Sequence, residues 1–111
     1  MNTNSPHPEQ ACPVTYCLNI IGGKWKPILL FLISHDIRRF GQLKRKIQGI
    51  SKQMLTKQLR ELEEDQIIHR EVFEELPLRV EYTLTPRGKT LLPVIQSMRD
   101  WGETQLNKRA Y

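Results

Sequence analysis

Gly41 to Asp65 reads "GQLKRKIQGISKQMLTKQLRELEED", two helical patterns joined by a tight turn. Leu43 and Ile47 stand four apart in the short first segment, and Leu55, Leu59 and Leu62 recur at helical spacing in the longer second one. Gln48, Gly49 and Ile50 form the turn, and Ser51 supplies the side-chain oxygen that suits a helix N-cap. This order of short helix, glycine-containing turn and longer helix is the helix-turn-helix pattern.

The charges of the second helix run against its dipole. Acidic side chains favour a helix N-terminus and basic ones a C-terminus, yet Lys52, Lys57 and Arg60 precede Glu61, Glu63, Glu64 and Asp65. In projection the three leucines occupy one arc, Gln53, Thr56, Lys57 and Arg60 the opposite side, and Ser51 and Lys52 flank the amino end. From Arg38 to Arg60 there are eight basic residues and no acidic one, while Glu61 to Glu75 holds seven acidic residues and Arg70 as its one formal base. With a net charge of +5 overall, a basic block this segregated points to a polyanionic partner. Arg and Lys can donate to guanine, Gln can pair with adenine, and Ser or Lys can hold phosphate. A merely solvated charged face is the bland alternative.

The flanking sequence supports the first reading. After the helix, Ile67 to Phe73 and Arg79 to Thr85 read as strands, the second alternating Val80, Tyr82 and Leu84 with polar residues. Together they form a hairpin, or wing, over about 67–85. Before the motif, a helix is expected from Pro13 to Ile21, with Val14, Cys17, Leu18 and Ile21 on one face. Another follows in "KWKPILLFLISHD", whose Ile28 to Ile33 is apolar on every side and should lie at the centre of the core. Thr85 and Pro86 open a last helix over about 86–108, which Pro93 should kink. Its stripe of Leu91, Ile95 and Met98, with Leu92 and Trp101 beside it, is wider than one small domain needs.

These patterns fill one domain of 111 residues, an 11-residue N-terminal lead included. The fold expected is α+β and mainly α, a winged helix-turn-helix whose N- and C-terminal helices form a dimer interface. The longest apolar run is far short of the ~20 residues that span a bilayer, and no secretion signal is evident, so a cytoplasmic, non-membrane protein is expected. Cys12 and Cys17, five apart on one helix, are poorly placed to bridge and read as reduced thiols. His7, His35 and His69 are scattered without a metal-ligand spacing, and His35 reads as a helix C-cap. No nucleophile elbow, phosphate loop or carboxylate pair suggests catalysis. Neither an enzyme, a cofactor nor a bound metal is expected. Trp25 and Trp101 read as core or interface anchors before they read as ligand-pocket walls.

Three stretches, "CPVTYCLNIIGGKWKPILLFLI", "RRFGQLKRKIQGISKQMLTKQLRELEED" and "LPLRVEYTLTPRGKTLLPVIQSMRDWG", resemble the signature regions of the HxlR-type bacterial transcription regulators, a branch of the MarR-like winged-helix group. The likeness runs from Cys12 to Gly102. It implies a homodimeric repressor or activator on double-stranded, pseudo-palindromic operator DNA. Ser51, Lys52, Gln53, Thr56, Lys57 and Arg60 then belong to the recognition helix, Arg79 to the wing, and Arg39 and Lys44 to the start of the helix-turn-helix. Val14, Leu18, Leu91, Ile95, Met98 and Trp101 fall to the dimer interface. In the resembled family some members use a cysteine at the Cys12 position to sense oxidants or electrophiles. Control by a small ligand, or a protein-interaction role without thiol sensing, is the alternative. Two positions depart from the pattern. Gln66 stands where many relatives have glycine, and Glu74 and Glu75 at the wing tip would repel phosphate. Arg79 is therefore expected to do most of the wing's work, or the wing to contribute little.

Overall fold

The leucine stripe read from the sequence is the floor of the longest helix before the hairpin. A computed structural model describes residues 12–109, so the 1–11 lead and His7 lie outside the described residues. Four helices, α1 (Pro13–Ile21), α2 (Lys26–Ser34), α3 (Phe40–Lys46) and α4 (Lys52–Glu64), precede strands β1 (Ile68–Phe73) and β2 (Arg79–Leu84), and α5 (Pro86–Lys89) and α6 (Leu92–Arg109) follow. Leu55, Leu59 and Leu62 of α4 are buried with Leu29, Leu30 and Ile33 of α2, Leu43 of α3 and Ile67, Ile68 and Tyr82 of the hairpin. Removing about 25 cal/mol per Å² of apolar surface from water is what holds these elements together. In α2, Ile28 is exposed and Phe31 and Leu32 are only half-buried, so that helix crosses the core with one side open.

The turn between α3 and α4 has Gly49 at φ +89°, a left-handed conformation open to glycine at little cost. Ile47 and Ile50 on either side of it are buried. Ser51 Oγ then accepts the Met54 amide at 3.0 Å, the capping bond that starts α4.

At the far end of α4, Gln66 itself takes the left-handed conformation, with φ +61°. Its amide donates to Glu63 O and the Ile67 amide to Leu62 O, at 3.0 and 2.9 Å. These are the paired bonds of a Schellman motif, and the buried Leu62 and Ile67 supply its hydrophobic contact. The expected glycine is absent, yet the motif forms. The next turn of chain clamps it: Thr85 Oγ1 donates to Gln66 O at 2.7 Å, and Gly88 lies so close that a Cβ there would stand 2.1 Å from Ile67 O. Arg87 Nε donates to Asp65 O at 3.1 Å.

The strands pair antiparallel, with Ile68 opposite Leu84 and Phe73 opposite Arg79. On the other edge of β2, the Tyr82 amide donates to Arg38 O at 2.9 Å, and Arg39 bridges Glu81, so the segment before α3 acts as a third, minimal strand.

The last helix, expected to be continuous from Pro86 with a kink, is two helices. Pro93 has no N–H with which to continue the ladder from Lys89; Thr90 and Leu91 close α5 with bonds to Arg87 O and Gly88 O, and the ladder resumes with Ile95 N to Leu91 O. The break turns Ile95 inward. At 5% exposure it belongs to the protomer's own core, and Leu91 is half-buried against that core. Ile95 is thus corrected from an interface residue to a core residue.

One ion pair sets α4 against α2. Lys26 Nζ lies 2.6 Å from Glu61 Oε1, with the lysine side chain 10% exposed and the glutamate 39%. The hydrogen bond from Lys26 holds the Glu61 carboxyl below its ordinary value of 4.5, against a small opposing effect of burial and with added attraction from Lys26 and Lys57.

Two stability changes follow. Gln66→Gly should raise stability by about 0.5–1 kcal/mol. Relief of left-handed strain contributes about 1–2 kcal/mol, and the freer unfolded chain takes back about 0.4–1. A higher urea midpoint with an unchanged slope is the expected readout. Glu61→Gln should cost about 1–2 kcal/mol, less than the 3–5 of a fully buried pair because Glu61 is partly solvated. Since the folded Glu61 value lies below the unfolded one, the pair's contribution is complete above about pH 4.5 and is lost as pH falls through the lower folded value. Acid titration of stability should therefore be shallower in Glu61→Gln than in the parent.

Candidate nucleic-acid interface

With the leucines facing inward, α4 turns Lys52, Gln53, Lys57 and Arg60 outward, all exposed, and leaves Thr56 half-exposed among them. Thr56 Oγ1 donates to Lys52 O at 2.8 Å. Its hydroxyl hydrogen is therefore engaged within the helix, and its oxygen faces outward as an acceptor, suited to a base amino group. Ser51 is exposed at the amino end with its oxygen in the capping bond. Two hollows of about 500 and 510 Å³ flank this face, and Lys52, Thr56 and Arg60 line both. Lys57 and Gln53 belong to the first, Arg70, Phe40 and Tyr82 to the second.

The cations divide into two groups. Arg38 pairs with Asp36, Arg39 with Glu81 at 3.8 Å, and Arg79 with Glu75 and Glu81 at 2.9 and 3.2 Å. Lys44, Arg45, Lys46, Lys52, Lys57, Arg60 and Arg70 are exposed and form no ion pair with an acidic side chain among the described residues. These seven lie on α3, α4 and β1, and their charge is free to meet an anion.

Arg39 and Lys44 sit at the N-cap and outer face of α3, beside the α4 face, but only Lys44 is unpaired. Arg79 is different again. Its guanidinium stacks 4.0 Å from the centre of the Phe73 ring, pairs with two carboxylates, and has its Nε buried without a partner. The expectation that Arg79 does the wing's work meets a side chain already engaged. Arg45, Lys46 and Arg70 are the outward cations that sequence reasoning passed over. The first two lay in plain view inside the acid-free block, whereas Arg70 stood among acids and its orientation depends on strand register.

Elsewhere, Cys12 is exposed at the N-cap of α1. The Thr15 backbone amide, then the Thr15 side chain and the Val14 amide, in the open first turn of α1, favour the thiolate and bring the thiol below its ordinary 9.0, with slight opposition from burial. The sulfur makes no capping hydrogen bond to that turn. Cys17 is half-buried against the core. Val14 and Leu18 of α1 and Met98 and Trp101 of α6 are exposed apolar side chains, joined on α6 by Val94 and Leu106. Trp25 packs against the core and Trp101 stands in solvent, so they do not wall a common pocket. His35 Nδ1 lies 3.0 Å from Phe31 O at the carboxyl end of α2, the place of a C-cap. Among the described residues no three His, Cys, Asp or Glu side chains gather as a metal would require, and no single helix is long and apolar enough to cross a membrane.

Comparison with known proteins agrees with this geometry. The HxlR-like helix-turn-helix family model matches residues 20–110. The HTH-type transcriptional regulator YdeP of Bacillus subtilis (strain 168) is 52% identical over 94 residues, 85% of this chain and 73% of that protein. The redox regulator HypR in its oxidised form superposes with a TM-score of 0.81 at 48% identity, covering 84% of this chain and 96% of that one. The transcriptional regulator YodB from B. subtilis in its reduced form gives 0.72 at 33% identity, covering 85% and 93%. The chain belongs to the HxlR-like helix-turn-helix family of transcriptional regulators.

Proposed function

We propose that this regulator binds a pseudo-palindromic operator as a homodimer, with α4 in the major groove and Cys12 as a thiol input. The observation that carries the reading is the unpaired basic surface on α3, α4 and β1, set around a helix face of amide, hydroxyl, ammonium and guanidinium groups. Phosphates in trans would complete the amino-terminal half of α4, whose cations otherwise oppose the helix dipole. The exposed Val14, Leu18, Met98 and Trp101 support pairing through α1 and α6, and a two-fold dimer reads two half-sites about one helical turn apart. A ligand-controlled or protein-binding role has no comparable observation behind it.

Binding to DNA upstream of the protein's own gene, followed by fluorescence anisotropy across a salt series, tests this. Lys57→Ala should weaken binding on every sequence and lower the salt slope by about one unit. Arg60→Ala should cost about 1–3 kcal/mol and relax base preference at one position of each half-site. Folded variants that bind as tightly as the parent would refute the interface.

The thiol input rests on the exposure of Cys12 at the N-cap of α1 and on the likeness to HypR, a redox regulator. The rate of Cys12 alkylation should reach half its maximum below pH 9.0, the ordinary thiol value. Treatment with an electrophile should alter operator affinity in the parent and not in Cys12→Ser. Equal responses in both proteins would remove Cys12 from the mechanism.

A further inference from the structure

The hairpin has two faces of opposite character. Residues directly opposite one another share a face, so Glu71 and Glu81 lie together beside Phe73 and Arg79, while Arg70 and Tyr82 lie together beside Ile68 and Val72. On the first face Glu71 and Glu81 face each other as like charges, and Glu75 reaches the same cluster through Arg79. Arg79 neutralises part of this charge and Arg39 approaches Glu81 as well. Three carboxylates against two arginines leave the face with no net attraction for phosphate. Arg79 ties Phe73, Glu75 and Glu81 into one cluster, and lifting it away would leave Glu75 without its cation and Glu81 with only the longer contact to Arg39.

The second face is the reverse. Tyr82 directs its amide to Arg38, away from β1, so Arg70 and Tyr82 are a non-hydrogen-bonded pair, the kind whose side chains stand closer. Tyr82 is buried and Arg70 exposed above it. Arg70 lines the hollow of about 510 Å³ between α4 and the hairpin, together with Lys52, Thr56 and Arg60. Three of the four also form the outward face of α4. Glu63 lines the same hollow on the carboxyl-terminal half of α4 and sets a limit to where an anion can lie, towards Lys52 and Arg60.

We infer that Arg70, and not Arg79, is the hairpin residue that binds the nucleic-acid backbone: its guanidinium takes a phosphodiester at the edge of the groove occupied by α4, while Arg79 is a positioning residue for the hairpin tip. The inference rests on the DNA-binding reading above and adds to it a residue and a direction of approach. A guanidinium presents a planar fork of donors that matches the paired oxygens of a phosphate. Lys52 and Arg60 add positive charge along the same hollow, which strengthens the local field.

The test compares salt dependence of operator binding for the parent, Arg70→Ala, Arg70→Lys, Arg79→Ala and Arg60→Ala, each checked for folding by thermal unfolding. Arg70→Ala should weaken binding several-fold at moderate salt, lower the salt slope by about one unit and leave sequence preference intact. Arg70→Lys should keep the slope, because the charge remains. Arg79→Ala should keep the slope while lowering the melting temperature, the mark of a positioning role. An unchanged slope in Arg70→Ala, with Arg60→Ala weakened, overturns the assignment and leaves the α4 interface standing. A slope lowered by Arg79→Ala and not by Arg70→Ala reverses the two roles and also overturns it. If none of the variants, Arg60→Ala included, binds differently from the parent, both this inference and the interface fail.

Discussion

The rotational setting of α4 is the constraint on which the rest depends. Three leucines buried at helical spacing fix which arc faces the core, and the Lys26–Glu61 pair fixes the same angle from the side. Non-directional burial alone tolerates some rolling of a helix; a lysine with its ammonium held at 2.6 Å from one carboxylate does not. The composition of the outward face of α4 follows from that angle. A turn of the helix by one residue, about 100°, would carry Lys52, Thr56 and Arg60 off the shared edge between the two hollows.

The same pair changes the meaning of the reversed charges on α4. Glu61 is not solvated excess: it is the counter-charge of a lysine that lies almost wholly within the protein. Glu63, Glu64 and Asp65 do sit against the negative end of the dipole. Three carbonyls there are nonetheless bonded, Leu62 O and Glu63 O by the Ile67 and Gln66 amides and Asp65 O by Arg87. The carboxyl end is thus held by backbone bonds and by the Thr85–Gly88 turn. The amino end has only the Ser51 cap and three cations with no acidic partner among the described residues. Electrostatic incompleteness is concentrated at the amino end of the helix.

Much of this was legible from local pattern. The leucine spacing, Ser51 before the helix and glycine in the turn are short-range signals, and each produced the element it announced. Thr85 ahead of Pro86 also caps a helix, though one that ends at Lys89. What escaped depends on residues far apart in the chain. Arg79 reads as a free wing cation until Glu81 and Phe73 are seen on its own face. Ile95 reads as part of an exposed stripe until the break before Pro93 rolls α6 onto the core. Gln66 reads as an unsuitable cap until Thr85 and Gly88 are found to hold the backbone on either side of it. Register, helix phase and long-range hydrogen bonds decide these cases, and none has a local signature.

Arg87 shows how closely the thiol-bearing helix is joined to the same framework. Within α1 only Ile21 is fully buried, with Cys17 and Ile20 packed partly against the core, so most of the helix is held lightly. Tyr16, whose amide bonds Cys12 O one turn earlier, has its hydroxyl 3.5 Å from Arg87 Nη2. Arg87 Nε in turn holds Asp65 O, the C-cap of α4. One guanidinium therefore touches both the helix that begins at Cys12 and the end of the helix that carries the basic face. The long Tyr16 contact is weaker than the 3.1 Å bond to Asp65, so α4 is anchored more firmly to α5 than α1 is. A displacement of α1 would break the weaker contact first and leave the α4 C-cap in place. Arg87 thus ties α4 firmly to α5 and joins α1 to the same framework only weakly.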